Sequence, residues 1–166
     1  MIYEELPFGQ ELCKIEYELL DWEEPPSPVA VVDGVAMAVC FQWSDLSSTR
    51  VTWRNPSYWE EEGLRFGGHK VEWTESVDVS VRWPSFVGAR LEAVAWSHST
   101  ASTRRAWSVN LVFVGGKHLV VALGELKDGV PSYTPDNLLI TASEPVAKAY
   151  WPSNEDGHVT ESPAWG

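Results

Sequence analysis

The strongest constraint in this 166-residue chain is the stretch 107–125, WSVNLVFVGGKHLVVALGE. Two apolar runs flank the pair Gly115-Gly116, which is the pattern of a β-hairpin. Side chains alternate across a strand, so Trp107, Val109, Leu111 and Phe113 share one face, and Leu119, Val121 and Leu123 share one in the return strand. A two-residue turn would pair Leu111 with Val120 and mix the two sets. A three-residue loop, Val114-Gly115-Gly116 with Gly116 left-handed, pairs Leu111 with Leu119, Val109 with Val121 and Trp107 with Leu123. That register gathers the large apolar residues on one side, and a slip of one residue scatters them. It is therefore the expected one. The opposite face, with Ser108, Asn110, Val112, His118, Val120 and Ala122, is mixed and reads as partly covered.

The rest of the chain reads as short strands between turns. Cys13, Ile15, Tyr17 and Leu19 alternate with Lys14, Glu16 and Glu18, a half-buried strand with Glu16 and Glu18 facing water. Residues 23–28, EEPPSP, break regular structure. Residues 29–32 run into Asp33-Gly34, a two-residue hairpin signal. Val35, Met37, Val39, Phe41 and Trp43 continue as a strand covered on both faces. Val51 and Trp53 form a brief strand, residues 57–68 an exposed loop or short helix, and Val71 and Trp73 a further strand. Val77, Val79, Val81 and Trp83 give the cleanest alternation. Phe86-Val87-Gly88 makes a corner, and Leu91, Ala93 and Ala95 begin the next strand. Residues 138–141 are a short buried strand. Ser143 caps a short helix that starts with Glu144 and Pro145 and reaches Tyr150. The expectation is a mainly β (β-rich α+β) protein, an antiparallel sandwich or open barrel of about eight strands with one short C-terminal helix. Residues 1–151 form a single domain, and 152–166 an irregular tail.

Charge narrows the function classes. The chain has 24 acidic against 12 basic residues, a net of −12, and eight of the acids against one lysine fall in residues 1–24. Such a surface repels phosphate backbones, so nucleic acid is not an expected partner. It attracts a basic protein, with Glu11, Glu16, Glu18, Glu23 and Glu24 as the candidate acidic partner surface. No run approaches the length of a membrane span, and the first ten residues do not read as a signal peptide. Two cysteines without metal spacing, Cys13 and Cys40, read as reduced, buried thiols of a cytoplasmic protein. The ten tryptophans mostly fall in phase with apolar strand positions, so core packing explains them first.

The patterns that carry chemistry are absent from the sequence. Neither glycine pair (GGHK at 67–70, GGKH at 115–118) is followed by the hydroxyl and helix of a phosphate loop. His69, His98, His118 and His158 lie in separate segments, so no metal site is expected. There is no GxSxG elbow, and no cofactor is expected. The best surface constellation requires the strand ending at Trp83 to pair with the strand after Pro84. Asp78, Arg82, Arg90, Glu92, Trp96 and His98 would then share a face that could hold a ligand or partner. Asn110 and His118 are the polar residues on the even face of the central hairpin.

The last third, with residues 119–125, then YTPDNLLI at 133–140 and a helix holding Ala147 and Tyr150, resembles the ends of small acidic bacterial proteins. Some of those are similar to immunity proteins of polymorphic toxin systems. The resemblance names no family and no functional residue. Together these readings lead to a non-enzymatic, cytoplasmic protein-binding module with an acidic surface, an immunity-like role being one version. The alternatives are a binder of small molecules or carbohydrate with a tryptophan-lined pocket, and an enzyme using His98 or His118 as general base.

Overall fold

A computed structural model describes residues 6–20, 32–53, 63–68, 70, 72–99 and 102–150, with the backbone alone at 98–99 and 102–105. The expected break at 23–28, residues 57–62 of the expected loop or short helix and the tail at 152–166 lie outside the described residues. So do Glu23, Glu24, His69, Val71 and His158. The later part of that expected loop, Leu64–Phe66, is a strand, which pairs with Val51–Trp53.

The central hairpin has the expected register. β8 (Ser102–Phe113) and β9 (Lys117–Leu123) pair Leu111 with Leu119 and Val109 with Val121, and Phe113 with Lys117 closes the three-residue loop. Gly115 and Gly116 both take positive φ, 95° and 74°, a conformation glycine adopts without a steric penalty. β12 (Leu138–Thr141) continues the apolar face by pairing Ile140 with Val121 and Leu138 with Leu123. β2 (Val32–Val35) and β7 (Leu91–Ser99) complete a five-stranded antiparallel sheet in the order β2-β12-β9-β8-β7.

A second five-stranded antiparallel sheet has the order β5-β4-β3-β1-β6. It comprises β1 (Leu12–Leu20), β3 (Ala38–Trp43), β4 (Ser48–Trp53), β5 (Leu64–Phe66) and β6 (Thr74–Asp78). A separate ribbon pairs β10 (Glu125–Lys127) with β11 (Val130–Ser132). The two large sheets share one hydrophobic core, where Trp43 stacks between Phe41 and Phe113 at 6.2 Å from each. This is the sandwich arrangement, built from twelve described strands rather than about eight. The helix α1 (Glu144–Ala149) starts where expected, with Ser143 Oγ accepting from Val146 N at 3.4 Å. No helix among the described residues is long and apolar enough to cross a membrane.

Three expectations fail for identifiable reasons. Asp33-Gly34 is not a hairpin turn; both residues lie inside β2, opposite Ile140 and Leu139. The chain crosses from one sheet to the other at Ala36-Met37, whose carbonyls accept from Trp53 Nε1 at 2.7 Å and Thr52 Oγ1 at 2.5 Å. The alternation at 77–83 is broken because Asp78 Oδ1 accepts from Ser80 N at 2.9 Å and Ser80 Oγ at 2.6 Å. That Asx turn ends β6 and starts a 3-10 turn at Ser80–Arg82, leaving Val81 88% exposed. Trp73 is a half-exposed turn residue rather than a strand residue.

Trp107 leaves the odd face. One extra residue of β8 lies between the pairs Ser97↔Ser108 and His98↔Ala106, a β-bulge that re-aims its side chain. The indole is buried beside Val120, Ala122, Leu139 and Thr141 on the even face, edge-on to Tyr150 at 5.6 Å. The even face is therefore a second packed layer under α1. Gly124 marks its tightest point. A Cβ there would meet the Ser132 carbonyl oxygen at 2.9 Å and Leu139 Cδ1 at 2.8 Å. The substitution Gly124→Ala is expected to lower unfolding free energy by about 1–3 kcal/mol, the usual cost of overpacking. Denaturant melts check this, and an unchanged midpoint would show that the ribbon yields freely.

Candidate functional site

The six residues expected on one polar face are not together. β6 pairs with β1, and β7 pairs with β8, so the strands around Pro84 belong to different sheets. A register shift between Leu91 and Ala93 also reverses the phase of β7. Val94 and Trp96 therefore lie opposite Leu111 and Val109, and Trp96 meets Phe66 of the other sheet edge-on at 4.7 Å. Glu92 and Asp78 are exposed, and Asp78 serves its own turn. Arg90 lies 3.6 Å from Glu11 across an isolated bridge. His98 is placed by its backbone alone, in β7 opposite Ala106.

Arg82 turns inward and joins the best-defined polar cluster of the described residues. Its Nε donates to Asp33 Oδ2 at 2.7 Å, and its Nη2 donates to Asp33 Oδ1. Tyr17 Oη donates to the same Oδ2 at 2.7 Å and accepts from Trp83 Nε1 at 2.9 Å. Asp33 is 2% exposed, and both its oxygens are engaged by charge-assisted bonds. Burial, with Asp33 next to it, holds the Tyr17 hydroxyl far above its ordinary range, so it remains a donor. The hydrogen bond to Asp33 raises the Arg82 guanidinium further. The cluster links β1 in one sheet, β2 in the other and the 3-10 turn. No sequence pattern marks it, because Asp33 reads as turn chemistry and its partners stand 16 and 49 residues away.

A second pair sits on the outer side of β1, where water-facing carboxylates were expected. Glu18 is 2% exposed, and its Oε2 accepts from Arg50 Nε at 2.6 Å. Arg50 also donates to the Gly67 carbonyl at 3.0 Å. Cys40 Sγ lies 3.8 Å from the same carboxylate, and burial pushes its thiol up to about 12. Glu16 is held by Lys14 and Gln42. The described members of the expected acidic surface, Glu11, Glu16 and Glu18, thus each face a basic residue of the same molecule. Cys13 is exposed rather than buried, because the bulge between Leu12 and Lys14 makes Leu12 the inward residue.

On the even face of the central hairpin, Asn110 is 1% exposed and its amide nitrogen lies 2.9 Å from His118 Nδ1. Beside them, under α1, the cavity lined by Trp107, Val120, Leu139, Ala147 and Tyr150 leaves about 10 Å³. That is about the least that holds one water. Of the six described tryptophans, Trp43, Trp83 and Trp107 are buried, Trp53 and Trp96 pack against the core, and Trp73 alone is half exposed.

Chemically, these clusters hold protons and charges in place. The Asp33 carboxylate is bridged by a cation and a phenol, and the Cys40 thiol stays protonated at neutral pH, where it is a poor nucleophile. Comparison with family models, curated proteins and solved structures finds no match to this chain.

The Cys40 thiol makes stability depend on alkaline pH. Its folded value is about 12 against an ordinary 9.0, so above pH 9 the unfolded chain binds fewer protons than the fold. Stability is then fully present below about pH 9 and falls as pH rises towards 12. Cys40→Ala is expected to reduce that slope by up to about 1.4 kcal/mol per pH unit. Urea melts between pH 8.5 and 10.5 test this; an identical slope in the variant would contradict a protonated buried thiol.

Proposed function

We propose that this chain is a cytoplasmic protein-binding module that recruits a basic partner through its acidic exterior. The observation that carries the reading is the way charge is partitioned. The pairs Asp33–Arg82 and Glu18–Arg50 are sunk in the fold and cancel, so the net −12 is carried by the other residues of the chain. Bases at the surface are further engaged, Lys14 by Glu16, Arg90 by Glu11 and Lys148 by Glu144. Glu72, Glu75, Asp78 and Glu92 are exposed, and the half-exposed Trp73 lies between the first two in sequence. Such a field accelerates encounter with a positive protein and weakens with salt. An immunity-like role, in which the partner is a basic toxin, is one form of this function.

Immobilised protein challenged at about 50 mM salt with lysate of its own cells is expected to retain basic proteins. Raising ionic strength to about 0.5 M, where the Debye length falls to a few ångströms, should release them. A variant with Glu72→Gln, Glu75→Gln, Asp78→Asn and Glu92→Gln should retain markedly less. Retention of nothing at low salt, or retention equal in the variant and indifferent to salt, would count against the reading.

A further inference from the structure

One end of the sandwich carries apolar side chains on four separate loops. Phe8 precedes β1, Leu46 lies between β3 and β4, Val87 in the corner after Pro84, and Val114 between β8 and β9. Backbone hydrogen bonds tie these loops to the same strand ends. Gly9 N donates to Leu91 O, Ser44 N to Glu11 O, Gly88 N to Leu12 O and Val114 N to Arg90 O. Phe8 and Val114 are each 55% exposed, and Leu46 is 96% exposed.

Leu46 is out of place by two criteria. Trp43 O accepts from Leu46 N at 3.0 Å, and Trp43 N donates to Ser47 O at 2.9 Å. This is a type I turn followed by a left-handed residue, where glycine or asparagine is the ordinary occupant. Leu46 holds φ 70° there, strained backbone for a leucine. Its side chain gains no burial in return. Val87 and Val114 also border a shallow depression of about 490 Å³ lined by Pro84, Ala89, Arg90 and Lys117.

The basic residues at this end are engaged within the molecule. Arg90 faces Glu11, Lys117 Nζ donates to the Ser85 carbonyl at 2.7 Å, and Lys14 is held by Glu16. Exposed carboxylates, Asp45 beside Leu46 and Glu92 on β7, stand at its margin with Glu11. Interfaces have an apolar core depleted of charge within a polar rim, and a rim carboxylate suits a basic counterpart. We propose that this loop end is the contact surface for a basic protein that presents an apolar patch, with Leu46, its most exposed apolar side chain, as an anchor. The inference rests on the acidic-surface reading above and adds to it the place and the apolar component of binding.

The test uses two synthetic peptides of equal length and equal positive charge, one alternating lysine with leucine, the other lysine with serine. Each is titrated into isotopically labelled protein, and amide shifts are followed by NMR. The lysine–leucine peptide is expected to shift the amides of Phe8, Leu46, Val87 and Val114. Leu46→Asn is expected to weaken it by about tenfold, a hot-spot effect. The thermal midpoint of that variant should hold or rise, since asparagine tolerates the left-handed turn. Shifts lying elsewhere, with both peptides bound alike and Leu46→Asn without effect, would overturn this inference and leave the acidic-surface reading standing. Binding of neither peptide at low salt would overturn both.

Discussion

Asp33 sits where the two sheets must be held together at one margin. Its carboxylate accepts from Tyr17 of β1 and, through both oxygens, from Arg82 of the 3-10 turn, while its own backbone pairs β2 with β12. Burial of a lone carboxylate is prohibitively costly, so these partners are obligatory. Once they are in place, several neighbouring features follow. Arg82 must turn inward, which requires β6 to stop at Asp78. Tyr17 must face the core, which sets the phase of β1 and with it the outward position of Glu18. Trp83 then closes the cluster through its hydrogen bond to Tyr17 and packs on Phe86.

That dependence explains which parts of the fold could be read from the sequence. The hairpin of β8 and β9 was legible because its register follows from local alternation and turn chemistry. The capped helix at Ser143 was legible for the same reason. The failures cluster where a distant partner overrides a local pattern. Asp33-Gly34 looks like a turn until Arg82 and Tyr17 claim the carboxylate. Glu18 looks solvated until Arg50 of β4 reaches it. The alternation from Val77 to Trp83 is real, but the short-range bonds of Asp78 to Ser80 end the strand first. Bulges account for most of the rest. One extra residue in β8 moves Trp107 to the other face, and the shift at Leu91/Ala93 turns Trp96 inward. A bulge leaves no mark in single-sequence periodicity beyond a change of phase.

The candidate site was legible to a smaller degree, and for a related reason. Arg82 was singled out as polar and surface-exposed, and it belongs to the interior. Arg90 and Glu11 were singled out separately, and they meet at the loop end. The apolar tips of that end, above all Leu46, are not legible as a group, because single apolar residues in polar turns carry no periodic signal. Charge is the sequence property that translates most directly. The buried pairs cancel, so the excess of carboxylates counted along the chain is carried by its other residues. On this account the interior ion pairs serve cohesion.

The central structural claim, that Asp33 and Arg82 act as one buried unit closing the sandwich, is tested most directly by a double-mutant cycle on folding stability. Asp33→Leu and Arg82→Met alone should each cost about 3–5 kcal/mol, because each strands a buried charge. The double substitution should cost clearly less than the two single costs together, which reveals the coupling. Single substitutions within about 0.5 kcal/mol of the parent, or strictly additive losses, would contradict it.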